Sequence, residues 1–234
     1  MTIQPKTLAL PLLMALCGPA WAQDAPADGE EAAVEEPAAP VTRSYTLDPS
    51  ASWLYVMVFN DDTRWTPVSG HTHGIRATTF TGTVLWNEAD ASACKVDISF
   101  PVSALAVDPT GMRSRAGLSE DGAIGDGAKK TVVGNLAGKS QLDAANTPNI
   151  RYSSSSCDGT TGSVKVSGAL NVHGVSKSIT VPMTVTLDGD SFAAKGQIEL
   201  SHADFGMKPF TYGPGTPKNQ EKLVFVVDVV GTAN

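Results

Sequence analysis

The feature that most constrains this chain is strict alternation over two neighbouring runs, Ser163–His173 (SVKVSGALNVH) and Ser178–Gly189 (SITVPMTVTLDG). In the first, Val164, Val166, Leu170 and Val172 share one parity, while Lys165, Ser167, Asn171 and His173 share the other. In the second, Ile179, Val181, Met183, Val185 and Leu187 alternate with Thr180, Pro182, Thr184 and Thr186. A period of two sustained over about ten residues specifies long strands with one apolar and one polar face. The short link Gly174–Lys177 predicts a hairpin between them. A sheet of such hairpins has to close or stack to bury its apolar face, and closure creates a lumen.

Further strand-like runs fall at Ser52–Phe59, His71–Ala77, Phe80–Asn87, Cys94–Val102, Asn149–Ser156, Ser191–Leu200 and Lys222–Gly231, with Gly, Asn or Asp in most gaps. A spacing of about ten residues suits a meandering antiparallel barrel rather than βαβ units. Leu223–Val230 and Trp53–Phe59 are apolar on both parities, so both strands are expected to be covered on two sides. The natural outer cover is Met112–Asn146, the one region without strand character. It is Gly-rich, and only Lys129–Leu136 and Lys139–Ala145 look helical, which predicts short helices over one end of the barrel, in the position of a lid.

The N-terminus reads as a processing segment. Lys6, the apolar run Leu8–Cys17 and the small-residue site Ala20-Trp21-Ala22 predict a signal peptide, residues 1–22, cleaved before Gln23. Leu16 stands where lipid attachment at Cys17 requires a small residue, and the run is too short to span a bilayer. Residues 23–40 hold six acids and no base, and read as a disordered acidic tether. The rest, 41–234, carries 18 acids and 16 bases and fits a single domain with a sizeable core. A periplasmic location follows, and the absence of a basic stripe argues against a nucleic-acid partner.

Cys94 opens one predicted strand and Cys157 closes another. An even cysteine count in an exported chain favours a disulfide between them, and antiparallel pairing of the two strands would bring the sulfurs together. Two separate buried thiols are the alternative. Such a bridge would stabilise the fold by roughly 4 kcal/mol in the chain-entropy account.

Several segments together resemble the YceI-like family of exported bacterial barrels. They are Tyr45-Thr46-Leu47-Asp48; Leu142-Asp143-Ala144 followed by Pro148-Asn149-Ile150-Arg151-Tyr152-Ser153; Gly168-Ala169-Leu170-Asn171-Val172-His173-Gly174-Val175; and Ser201-His202-Ala203-Asp204-Phe205-Gly206. The resemblance implies an all-β fold, a single antiparallel lipocalin-like barrel over 41–234 with short helices in the 112–146 insertion. It also implies an apolar tunnel for a polyisoprenoid lipid with a phosphate or quinone-like head, and a binding role without catalysis. No other cofactor is implied, and transient contact with a membrane is compatible with such a ligand. The chain departs from the family pattern at His71-Thr72-His73 and in the Gly-rich insertion before Leu136.

Parity supplies the lumen candidates independently. They are Val96, Ile98 and Phe100; Val164, Val166, Leu170 and Val172; Ile179, Val181, Met183, Val185 and Leu187; and, on a strand with two apolar faces, Leu223, Phe225, Val227 and Val229. Each could equally be plain core, and only a cavity decides between the two. His71, His73, Arg76 and Arg113 are candidates for the head group, joined from the lid by Arg115, Lys129 and Lys130. His71 and His73 share a strand face and could instead hold a metal with His202 or His173, giving an enzyme at the mouth. A third reading is an interaction module presented by the tether. Catalytic look-alikes fail: Ser201-His202-Ala203-Asp204 cannot converge along a strand, Gly122–Lys129 lacks the spacing of a phosphate loop, and Asp204-Phe205-Gly206 stands without the rest of its kinase set.

Overall fold

The computed structural model describes residues 41–63, 70–214 and 216–234; the expected leader and acidic tether lie outside the described residues. Eleven strands form one antiparallel sheet: β1 (Arg43–Leu47), β2 (Trp53–Asn60), β3 (His73–Ala77), β4 (Thr81–Trp86), β5 (Lys95–Pro101), β6 (Leu105–Val107), β7 (Asn149–Thr160), β8 (Ser163–Val172), β9 (Val175–Asp188), β10 (Ser191–Ser201) and β11 (Asn219–Ala233). Eight of them close a ring in the order β1-β4-β5-β7-β8-β9-β10-β11, sealed by Tyr45↔Ala233, Thr46↔Thr232 and Leu47↔Gly231. The long β11 meets β1 only at its end. Over Asn219–Asp228 that edge pairs with β2 instead, and β3 and β6 extend the wall from there.

The alternation in β8 and β9 sorts as its sequence demands, with Val164, Val166, Leu170 and Val172 buried opposite exposed Lys165 and Ala169. The link between them is shorter than expected. Val172 pairs with Val175, leaving a two-residue turn whose centre, His173 (φ 54) and Gly174 (φ 73), is left-handed at both positions. That geometry matches the right-handed strand twist and is the hairpin turn glycine serves best. His173 therefore sits in a turn, its Nδ1 3.2 Å from the Phe205 carbonyl, rather than on the polar face of the strand.

Two short strands escape a sequence pattern, β1 and β6. Residues 139–145 form turns, not the second helix that their composition suggests. The insertion holds α1 (Met112–Arg115) and α2 (Asp126–Ala137). The register explains the double-sided hydrophobicity of β2 and β11. Leu54, Val56 and Val58 share the inner face with Val227, Phe225 and Leu223, while Trp53, Tyr55 and Met57 share the outer face with Asp228, Val226 and Val224. α1 covers that outer face, with Met112 fully buried. Gly74 makes room for it, since a Cβ there would stand 2.7 Å from Met112 Cγ. Two cores result. One, at the β1–β4 end, holds Tyr45, Trp86, Phe192 and the Cys94–Cys157 disulfide. The other lies towards the helices and holds Leu142, Val172, Ile179, Phe205 and Leu223.

Candidate functional site

Between the two cores the strands leave a cavity of about 710 Å³. Its walls are the inner parities of the strands. Val96, Ile98, Phe100, Val166, Leu170, Val172, Ile179, Val181, Met183, Val185 and Phe225 all line it, together with Leu223, Val227 and Val229. Val164 and Leu187 do not. Val164 packs into the disulfide-end core, where Tyr45 stacks on Phe192 at 5.2 Å between centroids and Trp86 lies 6.3 Å from the same ring. The two cysteines, expected together if their strands pair antiparallel, are bonded there, with Cα atoms 5.9 Å apart.

The other end is built from different material. Ile124, Ala128, Thr131, Val132, Asn135 and Leu136, on and just before α2, line the cavity from above. Across from them the 206–218 loop contributes Met207, Phe210 and Tyr212, pinned by a Thr211↔Lys218 bridge. Asn135 Nδ2 donates to the Tyr212 hydroxyl at 2.8 Å, spanning the gap between helix and loop. α2 buries no residue fully and begins and ends at glycines without a side-chain cap.

His71 and His73 reach this mouth, with ring centroids 6.0 Å apart. His73 Nδ1 lies 2.8 Å from Asp108 Oδ2, and Asp108 Oδ1 accepts the Gly74 N–H at 2.8 Å. Arg113 Nη1 donates to the same Oδ2 at 3.1 Å, and Lys129 Nζ donates to the Asp108 backbone carbonyl at 2.8 Å. Burial opposes ionisation of Asp108, yet the His73 and Gly74 hydrogen bonds, the His73 charge and Arg113 outweigh it and hold the carboxyl below its ordinary range. Asp108 also adopts a left-handed backbone (φ 41), a conformation that Asp tolerates better than most residues. Nothing in the sequence marked it except an Asp-Pro turn, because two of its partners, Gly74 and His73, lie 34 and 35 positions upstream.

The three arginines expected at the head group are engaged elsewhere. Arg76 faces outward from β3, its guanidinium 3.8 Å above the Trp53 ring and donating to Ser52 O at 2.7 Å. Arg115 stacks on the same ring and pairs with Asp228. Arg113 is buried, and its donors go to Asp108, Thr72 O and Ser119 O. Among the described residues lining the cavity there is no Lys, Arg, Asp or Glu. His202 also lines it, but its Nδ1 meets the Glu221 carbonyl at 3.0 Å, and His173 does not reach it. Among the described residues no cluster of three His, Cys, Asp or Glu side chains could hold a metal. Ser201 and Asp204 form a capping box on the 3₁₀ turn 202–205, which accounts for their proximity. Tyr152 lines the wall, its phenol pushed up to about 12 by burial and so neutral at physiological pH.

An antiparallel barrel plugged at one end, roofed by a helix at the other and hollow between defines a lipocalin-like pocket. The YceI-like domain matches residues 45–229, and the chain belongs to that family. Among solved structures, the crystal structure of Burkholderia cenocepacia BcnA is similar at a TM-score of 0.59 and 18% identity, over 80% of this chain and 99% of that one. A polyisoprenoid binding domain from Saccharophagus degradans, implicated in plant cell wall breakdown, is similar at 0.52 and 13%, over 82% of this chain and 99% of that one. At such identities the likeness is one of fold. No curated protein sequence matches the chain.

Proposed function

We propose that this protein is a periplasmic lipid-binding protein that holds an isoprenoid-type tail in the barrel and presents the head at the histidine-lined mouth, acting by binding rather than catalysis. The observation that carries this reading is the 710 Å³ apolar cavity without a charged side chain among the described lining residues. Membership of the YceI-like family supports it, as does the fold shared with a domain described as polyisoprenoid binding. Size supports it as well. At ~30 Å³ per water-sized group the cavity takes on the order of 24 heavy atoms, about five prenyl units. Burying that many carbons releases on the order of 15–20 kcal/mol gross, enough to offset the cost of immobilising a long chain.

The test is to purify the protein from its native host, extract it with organic solvent and weigh the extract by mass spectrometry. A prenyl species is expected from the native chain and should vanish in Val181→Trp, whose indole would occupy the lumen. An extract without any prenyl lipid from either protein would overturn the reading.

A further inference from the structure

The ring of strands is not paired along its whole height. β9 runs from Val175 to Asp188 and β10 from Ser191 to Ser201, yet the two pair only from Asp188↔Ser191 to Met183↔Gly196. Beyond that point each strand keeps its other neighbour. β9 stays paired with β8 as far as Val175, and β10 stays paired with β11 as far as Ser201↔Lys222. Both strands are therefore intact, and the ladder is open only between 178–182 and 197–201. The residues at the apex of this slot account for it. A proline is tolerated in a sheet where one edge is left unpaired, and Pro182 stands where pairing with β10 stops. Gly196 is its counterpart, crossed so closely that a Cβ would stand 2.3 Å from Met183 Sδ and 2.4 Å from the Pro182 carbonyl oxygen.

The slot leads into the lumen. Ile179 and Val181 stand on one lip and Ile198 on the other, and all three line the cavity. Thr180, Pro182, Gln197 and Glu199, of the opposite parity, are exposed. At the foot of the slot, side chains and a turn join its two sides again. Lys177 Nζ meets Asp204 Oδ1 at 2.8 Å, and His173 Nδ1 lies 3.2 Å from the Phe205 carbonyl. Asp204 and Phe205 belong to the 3₁₀ turn 202–205, which continues into the 206–218 loop at the mouth. That turn is a strap dividing slot from mouth. Its ion pair is open to water, with side-chain exposures of 43% for Lys177 and 24% for Asp204, and such a pair holds weakly and is screened by salt.

A long tail drawn out end-on has to slide its whole length past the roofed mouth, whereas one that passes sideways leaves a few carbons at a time. We propose that the slot between β9 and β10 is a side portal: when the Lys177–Asp204 pair parts, the tail of a bound lipid passes laterally between the strands while its head passes α2. This rests on the lumen reading above and adds the route of exchange and the contact that controls it.

The experiment loads the full chain with a fluorescent geranylgeranyl probe and follows its transfer to phosphatidylcholine vesicles by stopped flow. Thr180→Cys with Glu199→Cys puts one cysteine on each lip, opposite each other in the continued register, and a short bis-maleimide, its attachment verified by mass, pins the slot. Transfer should slow about tenfold relative to the same variant unlinked, as for a pinned lid. Thr184→Cys with Lys195→Cys, linked across a pair where the ladder is already closed, should transfer like the native protein. Salt should speed transfer from the native protein, because the vesicles are neutral overall and the exposed ion pair is screened. Lys177→Met should transfer several-fold faster and lose that salt dependence. Equal transfer from the linked and unlinked 180/199 variant, equal slowing by both linked pairs, or a Lys177→Met that behaves like the native protein would each overturn the portal and leave the lumen reading standing. A probe that the native protein does not bind at all would overturn both.

Discussion

The two ends of the barrel are made by the same strands and differ in how they are held. At one, Tyr45, Trp86 and Phe192 stack around a disulfide, and the chain passes through tight hairpins. At the other, a helix with two internal glycines and no side-chain cap lies over two half-buried histidines. Neither Gly127 nor Gly134 is required sterically, since a Cβ at either would meet nothing within 4 Å. Glycine inside a helix costs roughly 1 kcal/mol relative to alanine, so α2 is weaker than its position demands. The contrast teaches that stability is concentrated where nothing has to pass and withheld where a ligand would enter, in keeping with the rule that moving elements come from the least stable part of a fold.

The sharpest way to break this contrast is at the disulfide. Cys94→Ala with Cys157→Ala releases a loop of 63 residues, and denaturant titration should show a loss of about 4 kcal/mol. Ligand content per folded molecule should fall little, because Cys94 lines the closed end of the cavity and not its mouth. Next in size is Asp108→Asn, which leaves the buried Arg113 without its countercharge and should cost about 3 kcal/mol at neutral pH. The folded-state pKa of Asp108 is depressed, so its contribution is present above the unfolded value of about 3.9 and is lost as pH falls through the lower folded value. The stability gap between wild type and variant should therefore narrow in acid below about pH 3.9; a gap that stays constant there would show that the carboxylate charge is irrelevant. A smaller loss, about 1–2 kcal/mol, is expected for Gly74→Ala, where the new methyl meets Met112 and overpacks the outer core. Smallest, and opposite in sign, is Gly127→Ala with Gly134→Ala. Each should add about 0.5–1 kcal/mol to the helix, and stopped-flow measurement should find ligand release slowed several-fold. Unchanged release would mean that α2 does not gate the cavity.

The sequence disclosed most where each strand face sees one environment. β8 and β9 alternate cleanly because one side meets the cavity and core and the other meets water. The double apolar faces of β2 and β11 pointed to an outer layer, and α1 supplies it. What stayed hidden depends on partners distant along the chain. β1 and β6 are too short to show a period and exist because β4, β11 and β3 pair with them. Residues 139–145 have helical composition, yet Asp143 takes a left-handed backbone (φ 47) and the segment turns. Arg76 looked like a free cation because Trp53 stands on another strand; Asp108 lies only five residues before Arg113, but in a loop no periodicity links the two. Most of the cavity wall on β5, β8, β9 and β11 was therefore legible from parity, Val164 and Leu187 excepted, whereas the pairing of the charges near its mouth was not.

One seam sets the order of events in this protein's life. The ring is completed only when the last strand reaches the first, where Asn234 N donates to Ser44 O at 2.9 Å and Asn234 Nδ2 donates to Ser44 Oγ at the same distance. Until then β11 is missing between β10 and both β1 and β2, and the pocket is an open gutter facing water. The enclosed cavity therefore exists only once β11 is in place. With its two edges so near each other, the same seam is also where the barrel could be cut elsewhere and rejoined without altering its interior.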